Sequence, residues 1–296
     1  MADRYNEGKA LDAVLRFIEA RDHAPRKNDG RSPDELNDPD EQRRVDYVCT
    51  IGQTLYAFEH TSIQPFPNQI ELEVRSRSLF APIIERFDHR SDREWWELIV
   101  PVGAPAGLTG RKVGKVQDAL IKWIEANAAC VPVAPLDWRY RNLPLGESAD
   151  GVPFRFSLHR ASFEGPYFPS GSPLCGRFTM KGVAPANLEQ QRAARLKTAS
   201  ECKSPKLAKW KRDSGARTVL VLEEDDLQLT NHFLVADALV PAEATTPDAP
   251  DEVFMVSTCI DQTWWVVCLR GPGRVAGEPM PHRGFDPKEL TKLTSR

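Results

Sequence analysis

No run of 18 apolar residues occurs anywhere in the 296-residue chain, so no membrane-spanning helix is expected. Residues 1–7 are charged and no apolar segment follows them. A secretory signal is therefore not expected, and a cytoplasmic location is. The six cysteines (Cys49, Cys130, Cys175, Cys202, Cys259 and Cys268) form no C-x-x-C pair, which favours reduced thiols over a disulfide frame or a zinc site. Charge of one sign is also missing: the net value is −3, so any attraction to nucleic acid must be local. His23, His60, His89, His159, His232 and His282 show no metal-ligand spacing. The glycine-rich stretch 107–115 fails the Walker spacing and reads as a helix-entry loop. Gly171-Ser-Pro makes no nucleophile elbow, which argues against a serine hydrolase.

What the chain does have is a mixed succession of helical and strand patterns, with no internal repeat. Leu11, Val14, Leu15 and Ile18 form an apolar stripe on a helix over 8–23. Strands are expected at 45–51 and 54–60, and a buried one at 95–102 lies within the insertion. Val113, Val116, Leu120, Ile121 and Ile124 mark an amphipathic helix, and 152–161 reads as a strand. A helix over 187–203 should give way at Ser204-Pro205 to a second one reaching about Arg212. Residues 218–222 are the clearest buried strand. A helix over 231–239 and a terminal hairpin, 253–258 with 263–269, complete the pattern. The expected fold class is α/β, a mixed sheet flanked by helices. Residues 1–241 form one domain with an insertion at about 63–150, and the hairpin and tail of 253–296 pack on the same domain. The 24 prolines exceed the ordinary share of about 5%, so long irregular connections are expected.

The most informative pair is Asp46 and Glu59. A glycine opening a two-residue loop signals a tight hairpin turn at Gly52-Gln53. Ile51 then faces Thr54, and counting outward sets Asp46 against Glu59 and Arg44 against Thr61. These four share one face, whereas Val45, Tyr47, Ile51, Tyr56, Phe58 and His60 share the other, packed face. Directly opposed carboxylates repel at about 4.5–5.5 Å between Cβ atoms, so a cation between them is the natural reason for such a pair. Magnesium (or manganese) suits two hard oxygen ligands and a phosphate.

The element order, stripped of its insertion, with Asp46 and the run Glu59-His60-Thr61, resembles the PD-(D/E)XK (restriction-endonuclease-like) nuclease superfamily. That resemblance implies an α-β-β-β-α-β core and Mg-dependent phosphodiester hydrolysis of nucleic acid. It also implies a metal held by Asp46 and Glu59, with a helical acid beside them, for which Glu19 is the candidate. The family's lysine position holds Thr61, which cannot supply a cation. Arg44 is one substitute, although a guanidinium cannot act as a base; Lys203 or Lys206 from the later helices is another. Without such a cation the fold is a catalytically inactive binding module.

Residues 186–217 contain nine basic and three acidic side chains, a local excess that suits phosphate contacts by Lys197, Lys203, Lys206, Lys209 and Arg212. Trp264 and Trp265 straddle the two faces of one strand, so one of them should be exposed, marking a protein partner or a homodimer surface. The partner expected first is nucleic acid, with DNA ahead of RNA.

Overall fold

The computed structural model describes residues 7–27, 30, 45–63, 68–89, 93–134, 145–162, 174–184, 187–225, 231–244, 248–260, 262–272 and 280–293. In chain order its elements are α1 (Glu7–Asp22), β1 (Tyr47–Ile51), β2 (Thr54–Ser62), α2 (Gln69–Phe87), β3 (Glu94–Pro101), α3 (Arg111–Asn127), β4 (Val133–Ala134) and β5 (Ser157–Ser162). They continue with β6 (Phe178–Val183), α4 (Leu188–Ser214), β7 (Arg217–Glu224), α5 (His232–Ala244), β8 (Glu252–Ser257), β9 (Trp264–Arg270) and β10 (His282–Phe285). None of the helices described is long and apolar enough to cross a membrane.

The chain divides into two compact units, Met1–Pro67 with Asn187–Arg296, and Asn68–Ala186. The first is built on a six-stranded sheet in the order β1-β2-β7-β8-β9-β10. The β1–β2 hairpin and the β8–β9–β10 meander are antiparallel, while β2, β7 and β8 run parallel, joined by connections that carry α4 and α5. Parallel strands need helical cover on both faces, and β7 shows it in being buried at seven of its eight positions. Its alternate residues divide between two cores. Val219 and Val221 join Tyr56, Phe58 and Phe254 against Leu11, Val14, Leu15 and Ile18 of α1. Leu220 and Leu222 join Ala57, Met255 and Val267 against Leu196 and Leu207 of α4 and Val235 and Leu239 of α5. A side chain buried this fully contributes about 1.5–3 kcal/mol through apolar area removed from water.

The second unit is a four-stranded sheet in the order β4-β5-β3-β6. Leu98 and Val100 of β3 pack with Leu79, Ile83, Val116, Leu120 and Ile124 of α2 and α3.

The α/β class, the mixed sheet and its flanking helices agree with the sequence reading; four particulars differ. The strand expected at 152–161, which an insertion ending at 150 would leave in the core, is β5 and belongs to the separate sheet, paired with β3 and β4. For the same reason the insertion ends near 186 rather than 150, since β5 and β6 complete that sheet. The helix does not break at Ser204-Pro205: α4 runs unbroken through Pro205. Proline removes one backbone donor there, but Leu196 before it and Leu207 and Ala208 after it are anchored in one core, which holds both halves in register. Finally, Val45 lies just before β1 and turns into the core under α4 and α5, while Tyr47 packs toward α1. Both faces of the hairpin are therefore packed, and the face carrying the acids is the one beneath α4.

Candidate active site

The turn at Gly52 has φ +60°, a left-handed value that glycine adopts without Cβ strain, and this fixes the hairpin register. Ile51 pairs with Thr54 and Tyr47 with Phe58. One more rung follows, because Asp46 N–H donates to the Phe58 carbonyl at 2.9 Å. Asp46 thus stands across from Glu59. Its own carboxylate then accepts the N–H of His60 at 2.6 Å, capping the ladder where the regular strand stops.

Glu59 is completely buried. Two lysines from α4 reach it from above. Lys203 Nζ lies 2.5 Å from Glu59 Oε2 and 3.5 Å from Asp46 Oδ2, and Lys206 Nζ lies 3.4 Å from Glu59 Oε1. Glu59 Oε1 accepts no hydrogen bond. Burial pushes the Glu59 carboxyl up to about 7, the negative charge of Asp46 adds to the rise, and Lys203 opposes it. Lys203 is raised in turn, against its own desolvation, by Glu59 and then Asp46.

A third acid feels the charge of Asp46 without converging on the pair. Glu7, the first residue of α1, has its carboxyl raised by burial and then by the charge of Asp46, with His60, Lys203 and Glu223 also acting on it. His60 is buried and its Nε2 lies 2.8 Å from Glu223 Oε2. Thr258 Oγ1 donates to the other Glu223 oxygen at 3.4 Å.

The structure brings Asp46, Glu59, Lys203 and Lys206 together, and it moves other residues out. Glu19 does not lie with them. The Tyr56 hydroxyl donates to Asp22 at 2.9 Å, which sets the C-terminal end of α1 beside the start of β2. The N-terminal end of α1 therefore lies beside the end of β2, where the acids are. Glu19 is twelve residues from Glu7, about 18 Å along the axis, and accepts the backbone N–H of Arg26 at 2.8 Å. Arg44 lies outside the described residues. Thr61 lines a cavity of about 250 Å³ with Ser62, Ile63, Thr198, Cys202 and Lys203, at the mouth of the site.

The basic tract is largely engaged within its own unit. Lys197 pairs with Glu201 at 3.7 Å and Arg212 with Asp248 at 3.6 Å, Lys211 pairs with Asp251, and Lys209 also has a partner. Two of its lysines, Lys203 and Lys206, are turned to Glu59. All six cysteines are free thiols, as expected; Cys49 and Cys268 are buried.

Sequence reading missed Glu7 and the His60–Glu223 pair. Two acids, Glu223 and Glu224, close the apolar run 218–222. Buried carboxylates at the carboxyl end of a parallel strand, where open sheets place their ligands, were the available signal. Among the described residues no three His, Cys, Asp or Glu side chains converge as a ready metal site. Neither the family models, nor the curated proteins, nor the solved structures contain a match to this chain.

Proposed function

We propose that the protein is a metal-dependent phosphodiesterase acting on nucleic acid, built on a restriction-endonuclease-like core formed by α1, the β1–β2 hairpin, α4 and β7. The observation that carries this reading is the position of Lys203, whose ammonium engages Glu59 and Asp46 together. It supplies from α4 the cation that Thr61 does not.

The residues suit a hard divalent ion. Asp46 and Glu59 offer carboxylate oxygens, one of them buried without a hydrogen bond, and one or two carboxylates are enough for Mg²⁺ when a phosphate supplies the rest. When bound, such an ion supplies positive charge at the phosphate and lowers the pKa of the attacking water. The chain's own groups do the remainder. Asp46 is held in place by the His60 N–H. The Lys203 ammonium, which also lines the cavity beside Thr61, would serve there as a donor to the phosphate. Glu7 is the auxiliary acid.

The same ion pair favours a second reading. A lysine that already neutralises both acids leaves a stable, inactive fold, and the protein would then act as a protein- or nucleic-acid-binding module. Cleavage assays on single- and double-stranded DNA with and without Mg²⁺ separate the two. Asp46→Ala, Glu59→Ala and Lys203→Met are each expected to lower cleavage by about 100-fold or more, the scale of one lost charge-stabilising group. Glu7→Gln should lower it less, and Glu19→Gln should leave it unchanged. Cleavage that survives in both Asp46→Ala and Glu59→Ala removes the phosphodiesterase reading.

A further inference from the structure

Strand β9 is buried at every position but two, and one of the two is Trp265, 41% exposed beside the buried Trp264. The exposed ring borders a half-enclosed cavity of about 350 Å³. Met255 and Val267 form its apolar floor, and His232, Ser257, Trp265 and His282 line its walls. The His282 ring lies 5.7 Å from Trp265, centroid to centroid, and its Nδ1 is 3.0 Å from the Met280 carbonyl. A carbonyl only accepts, so Nδ1 carries a proton, and in the neutral ring Nε2 is an acceptor. His232 is held below the ordinary histidine range by burial and then by His282, which favours its neutral ring. The cavity therefore offers a π-face, an apolar floor and separate donor and acceptor edges. An apolar protein anchor would use the first two only; a planar heterocycle uses all of them.

Its position adds a second argument. Met255 and Val267 belong to the core beneath α4 and α5, so the cavity is on the sheet face that carries Glu59. Thr61 pairs with Leu222, and Leu222 with Met255, so the cavity at Thr61 and this one lie level along their strands. They are two strand spacings apart, about 10 Å. A few nucleotides of one strand span that distance.

We propose that this cavity holds an unstacked base of single-stranded nucleic acid, sandwiched against Trp265 and edge-bonded by the two histidines, while the strand's phosphate a few nucleotides away reaches the carboxylates. The placement of the phosphate rests on the phosphodiesterase reading; the base site does not.

The test is fluorescence anisotropy of a short dye-labelled single strand, titrated with the full chain in EDTA so that cleavage plays no part. Trp265→Ala should weaken binding about fivefold to a hundredfold, the range for one lost base–aromatic stack. Trp265→Phe, which keeps a ring, should restore most of it. A strand of the same length made abasic should bind the unaltered protein as weakly as the intact strand binds Trp265→Ala. Equal affinities for Trp265→Ala and the unaltered protein would overturn the base site, as would equal affinities for intact and abasic strands. So would a Trp265→Ala effect confined to self-association in sedimentation, which marks a protein contact. A free nucleoside monophosphate binding as tightly as the strand would overturn the single-strand assignment. The phosphodiesterase reading is tested separately, by cleavage in Mg²⁺ with Asp46→Ala. A base site without cleavage, or cleavage without a base site, is thus recognisable.

Discussion

Glu59 pairs full burial with a carboxyl pushed up to about 7. Its unfolded value is near 4.5, so the folded protein holds this proton more tightly than the unfolded chain does. The stabilisation from the protonated form is complete below pH about 4.5. It is lost as pH rises toward about 7, because the unfolded state ionises first and more easily. The difference between about 4.5 and about 7 corresponds to about 3 kcal/mol. Urea denaturation at a series of pH values should therefore show a loss of that order between these limits. Glu59→Gln, which has no proton to release, should flatten that part of the profile. A profile that is identical in the two proteins would mean that Glu59 titrates normally. The neighbouring Asp46 and Glu59 were legible in the sequence because a two-residue turn fixes the count outward from Gly52. Lys203 was one of several lysines that a sequence could nominate, and only the path of α4 selects it.

At the scale of elements, α1 is the piece whose placement decides which acid lies near Asp46. Its buried residues extend nearly all round: Leu11, Val14 and Ile18 face the sheet, while Asp12, also buried, holds the tail. Asp12 receives Arg26 at 2.6 Å, Arg16 at 2.9 Å and the Thr291 N–H at 2.8 Å. Lys9 and Arg16 donate to the Pro287 and Glu289 carbonyls. Gly8 is where the tail comes closest; a Cβ built there would meet the Leu293 oxygen at 2.3 Å and its nitrogen at 2.7 Å. Backbone cannot yield as a side chain can. Gly8→Ala should therefore destabilise the fold by about 1–3 kcal/mol, the usual range for overpacking, and show a lower midpoint in thermal unfolding. An unchanged midpoint would show that the tail is not seated on α1. The apolar stripe of this helix was visible as a period. Its direction against β2 was not, because the Tyr56–Asp22 hydrogen bond that sets it joins residues 34 apart. That is why Glu19, at the margin of the stripe, was expected beside Asp46, whereas Glu7 at the other end of α1 is the acid that Asp46 influences.

For the whole molecule, the strand-helix-strand succession was sufficient to define an α/β sheet with helical cover. It was insufficient to assign each strand to its sheet. Residues 152–161 read as a strand whichever sheet they join, and only the pairing of β5 with β3 and β4 separates them from the hairpin. Likewise Pro205 is a sound local stop signal that tertiary anchoring on both sides overrides. The proposed phosphodiesterase function requires that the carboxylates under α4 exchange an internal lysine for a divalent ion. Diffraction from crystals soaked in Mn²⁺, read for anomalous density, addresses this directly. The account predicts a peak between the Asp46 and Glu59 carboxylates, with the Lys203 ammonium moved off Glu59. Crystals that take up no Mn²⁺ there, with the Lys203–Glu59 pair intact at saturating metal, would contradict it.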